Sequence, residues 1–222
     1  MFPALFHISR RPGGMENGRK GENDMTNTDI CNLALSYLSK GKITSMDDNT
    51  EEAAQCKIHY EHDRRLLLRQ YPWGFAKRTV KLALLDATVP GYDYAYSYPA
   101  ECLAVRYVFD EENAAAKEED LCDFDTVMTS GNQKALATNV GLAWCEYTFN
   151  IRDVDMFPDE FIEALAHYMA ANMAMVLTGS ASIQQAQFQL YQESIEMAKV
   201  YSAQERRKNT VYPEGYAEAR FS

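Results

Sequence analysis

The stretch from Thr50 to Phe75, TEEAAQCKIHYEHDRRLLLRQYPWGF, constrains the chain most, because a long helical pattern ends there on an aromatic corner. Ala53, Cys56, Tyr60, Leu67 and Tyr71 recur close to the three-and-four spacing that puts side chains on one helix face. Asn49 or Thr50 can cap this helix, and Glu51 and Glu52 then occupy its first turn, where the helix dipole favours negative charge. Pro72 must stop it: proline lacks the N–H that a continuing helix needs and pushes the residue before it out of the α region. Trp73 and Phe75 follow at once around Gly74. Two large rings on so sharp a bend, each able to bury on the order of 150–250 Å², predict an anchor in a core or at an interface.

Three further helices frame this one. Ile30, Leu33, Ala34, Tyr37 and Leu38 predict a short amphipathic helix over about 28–39, with Gly41 as the residue that closes it, ahead of the organising helix over about 50–71. Pro158, Asp159 and Glu160 suit the first turn of a helix over about 158–178. Its run FIEALAHYMAANMAMVL is apolar on almost every face, so it belongs inside, covered by other helices and in part by neighbouring subunits. Thr178 and Gly179 end it. Ser182 and Gln185 form a capping-box pattern that opens a last helix over about 182–207, with Phe188, Tyr191, Ile195 and Ala198 as its stripe. A short turn between two long helices predicts an antiparallel pair.

Between the helices, over about 75–151, the period shifts towards two. Phe75 to Leu85 reads as a strand with one wet face. Tyr92, Tyr94, Tyr96 and Tyr98 alternate strictly, which in an extended strand puts four phenol rings on one side. Cys102 to Phe109 and Ala143 to Ile151 have strand composition, whereas residues 110–140 read as a solvated acidic excursion. The expected fold is α+β and mainly α: an antiparallel helical bundle with a small antiparallel β lobe and an extended C-terminal tail. Residues 1–24 read as a disordered N-terminal extension, 25–207 as the folded domain and 208–222 as a docking tail.

With 222 residues, 46% hydrophobic and 24% charged, the chain has enough apolar side chains for a real core. A formal net charge of -10 argues against wrapping nucleic acid, which needs clustered Lys and Arg to neutralise phosphates. No apolar run approaches the ~20 residues that span a bilayer, and the charges of the first residues follow the apolar patch, the reverse of an export signal. The five cysteines are widely spaced with no CxxC pair, which fits free buried thiols in a reducing compartment.

Chemistry-bearing constellations are weak. Cys56, His59, His62 and Asp63 share a helix at metal-ligand spacing, but His167 is the only candidate for a complementary ligand, so surface and core roles are the better reading. Glu101 with Glu146 could be written as a hydrolase pair, yet 32 acidic residues make any such pairing easy to propose. GxSxG, GxxxxGK[ST] and GxGxxG are all missing, and Ser180 and Ser182 are better explained as helix caps. The Met169, Met173, Met175 run is adaptable core. No catalytic, metal or cofactor residue is expected, and no cofactor. The tyrosine row and the Trp73 corner read instead as packing or interface.

Three stretches together, TDICNLALSYLSKGKITSMDD, HDRRLLLRQYPWGFA and GYDYAYSYPAECLAV, resemble the head-to-tail adaptor proteins of short-tailed bacteriophages, the tail tubular protein A family. FPDEFIEALAHYMAANMAMVLTGS with its following helix is similar to the C-terminal half of that family, so the resemblance spans roughly residues 25–207. It implies a structural virion protein, assembled in the host cytoplasm, that forms a homo-oligomeric ring of about twelve copies between the portal protein and a tail nozzle of the tail tubular protein B type. DNA would pass through the lumen without sequence-specific contact, and no membrane would be involved. Carried onto this chain, the portal-docking candidates are Val211, Tyr212, Pro213, Tyr216, Arg220 and Phe221, and the subunit or nozzle interface candidates are Trp73, Phe75, Tyr92, Tyr94, Tyr96 and Tyr98. The rival expectations are a virion-associated peptidoglycan hydrolase and a neck or head-completion protein of a long-tailed phage.

Overall fold

A computed structural model describes residues 25–110 and 121–205. The described chain is α+β, with four helices and two three-stranded antiparallel sheets. Helix α1 (Asn27–Tyr37) starts on a full capping box: the Thr26 hydroxyl accepts from the Asp29 N–H, and the Thr26 N–H donates to the Asp29 carboxylate at 2.9 Å. Its end corrects the sequence expectation. Ser39, not Gly41, takes the left-handed conformation at φ 56, and Lys40 N–H reaches back to the Leu35 carbonyl at 3.0 Å, which closes the last turn six residues to one.

Helix α2 (Glu51–Gln70) is capped by Thr50, whose hydroxyl accepts from the Ala53 N–H, and it stops at Tyr71 ahead of Pro72. Helices α3 (Asp159–Thr178) and α4 (Ala181–Gln204) are joined by Gly179, left-handed at φ 67, and Ser180. Ser180 is the N-cap of α4 and accepts from the Ile183 N–H, so the capping pattern read at Ser182 lies two residues too late. Twelve residues of α3 are buried, from Phe161 to Leu177, because α1, α2 and α4 all pack on it. α3 is long and apolar enough to span a membrane by length and composition alone, which corrects the expectation that no stretch comes close. In this fold it is the core helix, and 67% of its apolar window is buried inside the protein.

The sheets lie between the helix pairs in sequence. Strands β1 (Lys77–Lys81), β6 (Ala143–Phe149) and β3 (Cys102–Asp110) form one sheet in that order, with β6 in the middle. Strands β2 (Tyr94–Ser97), β5 (Lys134–Thr138) and β4 (Phe124–Met128) form the other, with β5 in the middle. Single bridges, Leu84 to Tyr96 and Val108 to Cys122, tie the two together. Two expectations fail here. β1 has no buried face, since all five of its residues are exposed, so it is an edge strand of charged side chains. The stretch 110–140 is not a plain excursion, because β4 and β5 form a hairpin in it whose turn has Asn132 left-handed at φ 57.

The central strands supply most of the buried residues of the sheets. β5, KALAT, is buried at four of its five positions, and small Ala135 and Ala137 let the strand lie close under its neighbours. A separate cluster of Leu82, Tyr96, Val108, Leu136, Ala143, Cys145 and Tyr147 forms the lobe's own core. Burial pushes the Cys145 thiol up to about 12, so it stays a neutral, packed side chain, and all five cysteines are free.

Candidate assembly interface

The aromatic corner is the joint of the molecule. Trp73 is 1% exposed, and its ring stands 5.3 Å from Phe161 and 5.0 Å from Tyr71, both edge-on. Its Nε1–H donates to the Leu67 carbonyl at 2.8 Å, which satisfies one of the carbonyls that the end of α2 leaves without an intrahelical partner. The Trp73 carbonyl accepts from Arg106 Nη2 of β3 at 2.7 Å, and the neighbouring Gly74 N–H donates to Ser202 Oγ of α4 at 3.3 Å. One corner therefore fastens α2, α3, α4 and the sheet together. Phe75 packs half-buried against Phe157 and Phe161. Trp73 thus leaves the interface candidates and belongs to the subunit core; the physical reason is that a bend after Pro72 turns the ring inward over the helix it has just ended.

The tyrosine row is also not a free ladder. Only Tyr94 and Tyr96 lie in β2; Tyr92 sits in the preceding turn and Tyr98 beyond the strand. Tyr96 is 2% exposed and donates its hydroxyl to the Val140 carbonyl at 2.6 Å. Tyr92 donates to the Asp125 carboxylate at 2.7 Å, which raises its own pKa. Tyr98 carries the Lys134 ammonium 3.5 Å over its ring. Tyr94 is exposed and lies against Gly141, where an added Cβ would come 3.3 Å from the tyrosine hydroxyl. Three of the four rings are spent on contacts inside the chain. The portal-docking candidates Val211, Tyr212, Pro213, Tyr216, Arg220 and Phe221 lie outside the described residues.

Most of the side chains that could carry chemistry have structural partners. Cys56 is fully buried beside Cys31, and each shifts the other's ionisation. Asp63, 1% exposed, accepts from Asn172 Nδ2 of α3 at 2.9 Å and faces His59 Nδ1 at 3.6 Å, while His62 is exposed. His167 stacks on Tyr37 at 4.2 Å and lies 2.8 Å from Gln187 of α4. Among the described residues no group of three metal-ligating side chains comes together. Glu101 and Glu146 belong to separate networks. Glu101 accepts from Asn150 at 2.7 Å and pairs with Arg152 at 3.2 Å, which holds its carboxyl below the ordinary value, whereas Glu146 meets Lys77 at 3.4 Å and Arg106 at 3.6 Å. The first network reaches the buried Arg64, which donates to the Ile151 carbonyl, to Asn150 and to Glu61, and so stitches α2 to the chain after β6.

What remains open to partners is the outer surface of the helices. In α4 only Tyr191, Ile195, Ala198 and Ser202 are buried, one narrow stripe along 24 residues. Phe188, expected in that stripe, is 44% exposed, and Leu190, Met197, Val200 and Tyr201 are exposed with it. The periodicity of α4 does hold a signal for this: its apolar residues occupy more of the circumference than one stripe can use. Met197 and Tyr201 form the floor of an open groove walled by Asp159, Glu160, Glu163 and Glu193. On α2, Ile58 and Leu66 are exposed on the side away from α3, among His62, Arg65 and Arg69. Compared with known proteins, the chain matches no family model and no curated sequence.

Proposed function

We propose that this chain is a structural component of a short-tailed phage virion, the adaptor that stands as a ring between portal and tail nozzle, with about twelve copies around a DNA channel. In that reading the four helices are an antiparallel bundle, the sheets a small lobe beside it, and residues 208–222 a tail that grips the portal. The observation that carries the reading is the outer side of α4, where Phe188, Leu190, Met197, Val200 and Tyr201 are left in water by a helix that buries only four side chains. A surface apolar to this degree suits a protein whose natural state is an assembly. The net charge of -10 agrees with a lumen past which DNA slides, because like charges repel.

The test is assembly. Wild-type protein mixed with portal-bearing heads should appear in electron micrographs as a ring beneath the portal vertex, and the heads should retain their DNA. A chain lacking residues 208–222 should remain folded and soluble but fail to join those heads. Sealing by the truncated chain would remove the tail from the proposal, and heads that bind no wild-type protein would remove the adaptor role itself.

A further inference from the structure

Two exposed faces of this molecule are complementary to one another. The first runs along the outside of α2, where Ile58, 62% exposed, His62, Arg65 and Arg69 fall at spacings of three and four on one side of the helix, with Leu66 beside them. It is apolar at Ile58 and Leu66 and carries the two exposed arginines; Glu61, exposed on the same side, is paired with the buried Arg64 at 2.8 Å. Arg65 lies near enough to Glu101 to help lower its pKa, but it is exposed and makes no closer pair in that network. The second face is the groove where α4 crosses the start of α3. There Met197, 52% exposed, and Tyr201, 44% exposed, are surrounded by Asp159, Glu160, Glu163 and Glu193. It is apolar at the centre and acidic around it. Of its carboxylates, Glu163 is already engaged with Tyr37 at 3.0 Å and His167 at 3.2 Å, while Asp159 and Glu193 make no ion pair within the described residues.

We infer that these two faces dock on one another between copies of the chain, α2 of one subunit against the α3–α4 groove of the next. The inference rests on the assembly reading above and adds to it which surfaces meet. The occupant is a second copy because of charge: in a chain of net charge -10, the α2 face is an apolar stripe with two exposed arginines, and the groove is its opposite in sign with an apolar centre. α2 and α4 both pack mainly on α3 and meet each other at the Tyr191 hydroxyl, which donates to Gln70 at 2.7 Å; none of the side chains of the two faces takes part in that bond, so the faces are distinct parts of the surface. A contact between unlike patches is heterologous. It repeats head to tail, and it closes into a ring when the rotation per subunit allows.

Sedimentation velocity over a concentration series, at low and high salt, tests this on the full chain. Wild-type protein should self-associate, more weakly at high salt, since exposed charges are screened beyond about 10 Å at 0.1 M. Asp159→Lys with Glu193→Lys should weaken association by about tenfold or more, as should Arg65→Glu with Arg69→Glu, because each places like charges across the contact. Mixing the two variants should restore it, since every contact in an alternating array again joins opposite charges. Melting temperatures near wild type show that each variant folds; if either does not, Ile58→Ser and Met197→Ser are to weaken association in its place. Wild-type chains that stay monomeric at every concentration overturn the pairing, as do variants that associate undiminished or a mixture that does not recover. Those results leave the adaptor reading standing, which fails separately if portal-bearing heads bind no wild-type protein.

Discussion

In the helical lobe, Trp73, Phe75 and Phe161 stand with ring centroids 5.1 to 5.9 Å apart, and α3 alone adds twelve buried residues. The apolar cluster of the sheets has seven members, two of them the small Ala143 and Cys145, and strand β1 contributes none. The helices therefore hold a continuous core through which a change at one point is felt at many, while the sheets hold a shallow one whose rim faces water. The two are joined by the Arg106 bond to the Trp73 carbonyl, by the Arg64 network to Asn150 and Ile151, and by Leu103 and Phe149, which pack against the helical core.

Trp73→Ala should show the largest effect, about 3–5 kcal/mol lost in denaturant unfolding, since it empties a core ring site and also leaves the Leu67 carbonyl without its donor. An unchanged melt would move that ring out of the core. Leu136→Ala, at the centre of β5, should cost about 2–4 kcal/mol. Its sharper readout is hydrogen exchange: amides of β4 and β5 should exchange faster while those of α3 keep their protection, and equal loss in both lobes would break the division drawn here. Thr50→Ala removes the cap of α2 and should cost about 1 kcal/mol, all of it in the helical lobe.

The smallest effect is in acid. Asn150 first and Arg152 second hold Glu101 below its ordinary value of 4.5, so the fold favours its carboxylate. The stability this contributes is present above 4.5 and is lost as pH falls from there through the lowered folded value. Glu101→Gln should accordingly flatten the acid limb of a pH–stability curve slightly, with no change at alkaline pH. A variant that shifted the alkaline limb instead would contradict the assignment.

The helices were readable because their signals are local: Thr50 as cap, Pro72 as stop and the apolar excess of α3 each act within a few residues. The sheet lobe was not. β4, FDTVM, has strand composition but is only five residues long and follows an acidic run, whereas β5, KALAT, has one β-branched residue and is held by its two neighbours rather than by propensity. The tyrosine alternation was real but misled, since β2 is only four residues long and Ala95 and Tyr96 on opposite faces are both buried. On the outer side of α4, the apolar residues were visible in sequence, but which of them face water depends on where α3 lies, a long-range fact. The direction of the Trp73 ring was likewise left open between core and interface by the residues alone.

Strand β1 carries one more consequence. A sheet margin offers unpaired hydrogen-bonding groups to any passing extended chain. Lys77, Arg78 and Lys81 all lie on that margin and all reach solvent, so two such margins brought together would set cation against cation. Replacing them with uncharged β-formers removes that repulsion and exposes the margin to edge-to-edge aggregation.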